Sequence, residues 1–280
     1  MKKLIIKMIY FIVLGYIGVV ALLYVKQRSI MYFPQKTMLA PAEHGLETMD
    51  IVHSVTSDSI DITAWYHKAA DPAKPTIILF HGNAGNIGIR DYKARMFIDA
   101  GYGIMLAGYR GYGGNAGKPT ENGLYEDARA QIRWLVSHDV KPQNIVIYGE
   151  SLGSGVATKM ATEFPQARAV ILETPYTSTV EVGQWRFPVV PVYLLMKDRF
   201  ESINRIGEIR SPVLVLHGTK DKIVPFRYGL KLYEAANQPK HMEVFEGGGH
   251  NDLYMHGADQ AILSFLENYK EQPLDANIAE

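Results

Sequence analysis

Six short apolar runs with helix-length segments between them leave this chain few folds to choose from. They are residues 76–80, 103–107, 144–148, 169–172, 212–216 and 242–245. A strand that is apolar throughout has no face to offer water, so it is predicted to lie in a parallel sheet covered by helices on both sides. The segments 90–100, 121–138, 153–164, 225–236 and 257–269 supply those helices. In the second of them Leu124, Ala128, Ile132 and Leu135 recur at helical spacing. Ahead of the runs, residues 48–66 alternate Ile51, Val55, Ile60, Ile62 and Ala64 with polar residues, the pattern of an antiparallel hairpin. The expected class is α/β: a doubly wound, mostly parallel central sheet flanked by helices, with an antiparallel start. One gap breaks the rhythm. Residues 175–211 carry Trp185, Phe187, Pro188, Pro191, Tyr193 and Phe200 and fit an inserted lid or cap.

Composition removes several function classes. At 280 residues, 47% of them hydrophobic, the chain can bury a substantial single core and is not disordered. Basic and acidic residues balance at 29 each with no basic block, which argues against nucleic acid as a partner. The absence of cysteine excludes disulfides, thiolate catalysis and cysteine-based zinc sites. At the N-terminus, Lys2, Lys3 and Lys7 precede an uncharged run from Met8 to Val25, closed by Lys26 and Arg28. As a helix that run is about 27 Å long, close to the roughly 30 Å hydrocarbon core of a bilayer. A cleaved signal peptide would have a shorter apolar core and a small-residue cleavage site. Leu22-Leu23-Tyr24-Val25 offers none, so an uncleaved single-pass anchor is expected over residues 1–28. Three lysines and the α-amino group before the span favour an inside N-terminus and an outward-facing main domain, periplasmic or lumenal. Residues 29–46 read as a juxtamembrane linker in which Met31-Tyr32-Phe33 packs on the domain, and 271–280 as a frayed tail.

The chemistry centres on Gly149-Glu150-Ser151-Leu152-Gly153, between the apolar run 144–148 and a helix-compatible segment. A serine at a strained strand-to-helix turn stands clear of the sheet edge, because glycines on either side let the backbones approach. Its hydroxyl needs a base, and the base needs an acid to hold its tautomer. Asp221 follows the run 212–216 and His250 follows the last run, in the glycine-rich loop Gly247-Gly248-Gly249. The chain order is serine, acid, histidine. His256 is a competing base at the start of the last helix, and Asp252 is too close in sequence to His250 to serve it easily. Glu150 is expected to face a neighbouring loop. Oxyanion donors are expected from the amide of Leu152, at a helix N-terminus, and from the amide of Asn83 in His81-Gly82-Asn83-Ala84-Gly85-Asn86, after the first apolar run. No P-loop, zinc motif or other metal cluster is present in the sequence, and neither metal nor cofactor is expected.

These motifs, together with Tyr109-Arg110-Gly111-Tyr112-Gly113, His217-Gly218-Thr219-Lys220-Asp221 and Glu173-Thr174-Pro175-Tyr176-Thr177-Ser178, resemble the α/β-hydrolase superfamily. More narrowly they resemble the Bem46-like serine hydrolases, relatives of the α/β-hydrolase-domain 13 and 17 proteins, from about Phe33 to Tyr269. The resemblance implies an α/β-hydrolase domain over 47–270 and a catalytic triad of Ser151, Asp221 and His250. It also implies an acyl hydrolase acting on an ester or thioester; an N-terminal anchor is common in that group. Members related to the 17 protein act on palmitoyl thioesters, but this chain lacks their cysteine-rich N-terminus. A small-molecule or lipid-like acyl substrate is expected, with Trp185 and Phe187 of the cap in contact with it. The alternatives are an acyltransferase using the same acyl-enzyme and a catalytically vestigial membrane-tethered interaction protein.

Overall fold

Why the apolar runs become strands is visible in what covers them. In the computed structural model, which describes residues 1–38 and 40–269, each run lies inside one sheet whose two faces are closed by helices. In chain order the elements are α1 (Lys2–Met31), β1 (Phe33–Pro34), β2 (Asp50–Val55), β3 (Asp61–His67), β4 (Thr76–Phe80), β5 (Ala84–Gly85), α2 (Asp91–Asp99), β6 (Gly103–Ala107), α3 (Glu121–Ser137), β7 (Ile145–Glu150), α4 (Leu152–Glu163), β8 (Ala169–Glu173), α5 (Thr179–Arg186), α6 (Val192–Leu195), β9 (Val213–Gly218), α7 (Phe226–Ala235), β10 (Lys240–Phe245) and α8 (Ala258–Asn268). The main sheet runs β10-β9-β8-β7-β4-β6-β3-β2. Pairing is parallel from β10 through β6 and antiparallel at β6-β3 and β3-β2.

Side-chain alternation splits each central strand between two apolar layers. Ile78 and Phe80 join one layer with Leu124, Ile132, Val156, Met160 and Leu232 of α3, α4 and α7. Ile77 and Leu79 join the other with Phe97, Ile262 and Phe265 of α2 and α8. This is the doubly wound sandwich expected from the runs.

Both edges depart from the expectation. In β2 the inward positions are Val52 and Ser54, so Ile51 and Val55 are left 49% and 67% exposed. β2 is an edge strand with α3 on one side only, and its apolar alternation marks the uncovered face. β10 is the opposite edge. Most of its side chains stay partly or fully exposed and only Phe245 is buried.

The N-terminal segment also differs from a simple tether. α1 is long and apolar enough to cross a membrane, and it continues past residue 28 to Met31. The expected linker at 29–46 is part of the domain: Tyr32, Pro41 and Leu46 are buried, and β1 pairs with β5. Phe33 alone of Met31-Tyr32-Phe33 is well exposed. The frayed tail expected at 271–280 lies outside the described residues.

Candidate active site

β7 ends at Glu150 and α4 starts at Leu152, so Ser151 alone makes the turn between them. Its backbone sits at φ 50°, ψ −115°, a region a non-glycine residue occupies only under constraint. The constraint comes from close packing. A Cβ on Gly153 would stand 1.9 Å from the Phe80 carbonyl oxygen, and one on Gly149 would stand 2.4 Å from the Gly153 carbonyl oxygen. The Ser151 amide donates to the Glu173 carbonyl at 2.8 Å, which fixes the turn against β8.

Two loops at the same end of the sheet bring up the partners. Asp221 follows β9 and His250 follows β10. His250 Nδ1 lies 2.6 Å from Asp221 Oδ2, and His250 Nε2 lies 2.9 Å from Ser151 Oγ. An ionised carboxylate only accepts, so Nδ1 carries the hydrogen and Nε2 accepts from the serine hydroxyl. The other Asp221 oxygen accepts the Ile223 and Val224 amides, each at 2.8 Å. Burial works against the Asp221 charge. Hydrogen bonding from His217 and His250 outweighs it and holds the carboxyl well below its ordinary range. His217 is a partner that the sequence reading missed, although it belongs to the quoted His-Gly-x-x-Asp motif. Fully buried, it places Nε2 3.3 Å from Asp221 Oδ2 and 2.9 Å from the Val224 carbonyl. The rival groups are elsewhere: Asp252 accepts the Gly249 amide within its own loop at 2.6 Å, and His256 is exposed.

Asn83 and Leu152 line the same cavity as Ser151. Among the described residues neither backbone amide donates to another protein group. The Asn83 loop is held from three directions. Its carbonyl accepts from the Phe33 amide at 2.9 Å and the Tyr112 hydroxyl at 2.8 Å, while its side chain donates to the Met31 carbonyl at 2.8 Å. Behind it His81 is fully buried beside Tyr109 and Tyr112, its Nδ1 2.7 Å from the Gly82 carbonyl oxygen. Burial and the nearby Arg90 charge push the His81 pKa down to about 3, so its ring is neutral.

Below Ser151 lies a buried ionic cluster. Glu150 accepts from Arg90 Nη2 at 2.6 Å and from Lys93 Nζ at 2.7 Å, and Lys93 also reaches Glu173 Oε2 at 2.6 Å. Tyr148 donates to Glu173 and lies 3.0 Å from the Tyr254 hydroxyl. Arg90 also donates to the Ala84 carbonyl at 2.9 Å. The cluster therefore joins the Asn83 loop, the Ser151 turn, β8 and the loop after His250. Burial alone would discharge Lys93, but Glu150 and Glu173 outweigh it and hold its pKa well above the ordinary value. Glu150 does face a neighbouring loop, as expected; Lys93 was missed. The available signal was helical spacing, since Lys93 shares the buried face of α2 with Ala94 and Phe97.

Above Ser151 opens a cavity of about 470 Å³, mostly apolar, lined by the cap and by α1. Phe187 is part of its lining. Trp185 is not part of its lining: its half-exposed indole lies 5.7 Å from the Arg227 guanidinium of α7. Aromatic richness placed both residues in the cap without telling which of them would turn toward the cavity. Among the described residues no group of three or more histidine, aspartate or glutamate side chains is arranged to hold a metal ion.

A family model described as serine aminopeptidase, S33, matches residues 71–190. The chain is 38% identical over 237 residues to an uncharacterized protein of Mycobacterium tuberculosis, with 84% of each covered. It is 34% identical over 223 residues to the human alpha/beta hydrolase domain-containing protein 17B, covering 77% of this chain and 72% of the relative. Among solved structures, an esterase of Pyrococcus furiosus superposes with a TM-score of 0.69 at 18% identity, covering 86% of this chain and 99% of the esterase. The acylaminoacyl peptidase of Pyrococcus horikoshii gives 0.65 at 16% identity, covering 81% and 43%. At such identities the likeness to these structures is one of fold.

Proposed function

The chain belongs to the α/β-hydrolase family, alongside the domain-containing 17B proteins, and from that premise we propose that it is a membrane-anchored serine hydrolase of acyl esters or thioesters. The observation that carries this is the hydrogen-bonded chain from Ser151 through His250 to Asp221 at the strained turn. Ser151 Oγ attacks the acyl carbonyl carbon while His250 Nε2 takes its proton. The imidazolium that forms is stabilised by Asp221, and the tetrahedral oxyanion is met by the Asn83 and Leu152 amides, each worth roughly 3–4 kcal/mol of barrier. His250 then returns the proton to the leaving oxygen or sulfur as the carbon–heteroatom bond breaks. Water, deprotonated by the same histidine, attacks the acyl-serine and releases the acid. No metal or cofactor enters this sequence.

The reading includes the anchor: α1 holds the enzyme in the membrane with the N-terminal lysines inside and the hydrolase domain on the outer side. The test is labelling with a fluorophosphonate, followed by turnover of p-nitrophenyl esters and acyl thioesters. Wild type should be labelled at Ser151 and turn over. Ser151→Ala should lose label and lose turnover by about 10⁴-fold or more. An alanine variant with wild-type turnover would refute the mechanism.

A further inference from the structure

α1 is more than a membrane tether in this structure. Along its whole length only Val20, Leu23, Gln27 and Met31 are partly buried. Their spacing of three, four and four residues is a single helical stripe. All four line the cavity above Ser151, opposite Val182, Val190, Val192 and Leu195 of the cap. The stripe is bonded in place. Tyr16 donates to the Val189 carbonyl at 2.7 Å, and Gln27 donates to the Leu195 carbonyl at 3.2 Å and accepts the Lys197 amide at 2.8 Å. Arg28 grips the Asp198 carboxylate with two nitrogens at 2.8 and 3.0 Å.

This docking limits how the helix can meet a bilayer. The part of α1 ahead of Tyr16 is about 21 Å long, short of the roughly 30 Å hydrocarbon core. If α1 crosses the membrane, the stretch from Tyr16 to Val25 lies in the bilayer too, and the cap bonded to it enters the leaflet. The cap surface suits that position. Val189 is 76% exposed and Leu194 84%, and Trp185, Phe187 and Tyr193 of the same segment are also exposed. Lys26, Arg28 and Lys197 gather at the end of α1, where the apolar run stops, and mark the water side.

We propose that α1 is one wall of the acyl site, and that the substrate is a long-chain acyl ester of a membrane lipid whose chain enters sideways from the leaflet between α1 and the cap. This rests on the serine-hydrolase reading and deepens it. The cavity holds on the order of fifteen methylene-sized groups, taking about 30 Å³ for each as for a water. Its floor carries Ser151, Asn83 and Leu152, so a chain lying along the stripe presents its carbonyl to the nucleophile. The lipid never has to leave the bilayer completely, and the cap closes over a chain already shielded from water.

Two measurements test this on the full chain. The first reads position without turnover: protein in phosphatidylcholine vesicles with bromine on the acyl chains, monitored by tryptophan fluorescence. Trp185 is the exposed tryptophan of the cap, whereas Trp65 is buried in the core. Bromine should quench wild type markedly more than Trp185→Phe; equal quenching in the two would overturn the inference. The second compares kcat/KM for p-nitrophenyl palmitate and p-nitrophenyl butyrate in detergent micelles. Leu23→Trp and Val20→Trp, bulky plugs on successive turns of the stripe, should each lower the palmitate-to-butyrate ratio at least tenfold. An unmoved ratio in a plug that a fluorophosphonate still labels would overturn it. A wild type that is neither labelled nor active would instead count against the hydrolase reading, and the quenching result would still decide where the cap sits.

Discussion

Replacing Lys93 with methionine removes one charge from the middle of the cluster beneath Ser151. Its Nζ is fully buried and serves two carboxylates, Glu150 at 2.7 Å and Glu173 at 2.6 Å. The two are not equally dependent on it. Glu150 keeps the Arg90 guanidinium at 2.6 Å, whereas Glu173 is left with the Tyr148 hydroxyl. The loss is therefore concentrated on one buried carboxylate without a cation, a defect that costs about 3–5 kcal/mol. Against a total stability of roughly 5–15 kcal/mol this is severe but survivable. For a domain of this size it corresponds to a fall in Tm of roughly 6–20 °C. Thermal unfolding of purified Lys93→Met in detergent measures it directly. Lys93→Met combined with Glu173→Gln removes the stranded charge and should recover at least half of the loss. A single variant within about 2 °C of wild type would refute the reasoning, as would a double variant no better than the single.

Two further outcomes follow from the site. Asp221→Asn replaces an acceptor that fixes the His250 tautomer, so kcat/KM on p-nitrophenyl esters should fall by about 10⁴. A loss below tenfold would remove Asp221 from the mechanism. His81 is held neutral with its pKa pushed down to about 3. A base depressed in the folded state lets the unfolded chain take up the proton first, so its contribution is intact above about pH 6.5 and lost as pH falls toward 3, by up to about 1.4 kcal/mol per pH unit. Tm measured from pH 7 to pH 4 should therefore drop less in His81→Gln than in wild type, and parallel profiles would show that His81 is not responsible.

How much of this was legible follows from range. Ser151, Asp221 and His250 each follow an apolar run, and parallel pairing gathers those ends on one edge of the sheet, so their meeting was legible by counting strands. The turn at Ser151 was legible for a similar reason: Gly149 and Gly153 announce close backbone approach, and both sit where a Cβ would collide. What failed was whatever depended on coverage. Ile51 and Val55 alternate like buried residues but lie on an edge strand with a bare face. Trp185 lies in the last turn of a short helix and Phe187 follows it, and only the packing of the cap decides which of them turns inward. Lys93, Glu150 and Glu173 meet from three elements, and no local pattern pairs them.

The contacts of α1 were the least legible, since its partners lie some 170 positions away in the chain. Gln27, in the polar stretch Lys26-Gln27-Arg28-Ser29 just past the apolar run, is bonded to the cap from both ends of its amide. The same helix continues into the floor of the cavity. The Met31 carbonyl holds the Asn83 side chain, the Phe33 amide holds the Asn83 carbonyl, and β1 pairs with β5 one residue beyond. The loop expected to stabilise the oxyanion is thus built partly on the segment that leaves α1. Hydrogen-bond donors stabilise a developing charge only when they are already aimed at it, so a displacement of this segment weakens the Asn83 amide without touching Ser151. Cutting away the helix consequently strips one wall from the cavity and one support from the Asn83 loop.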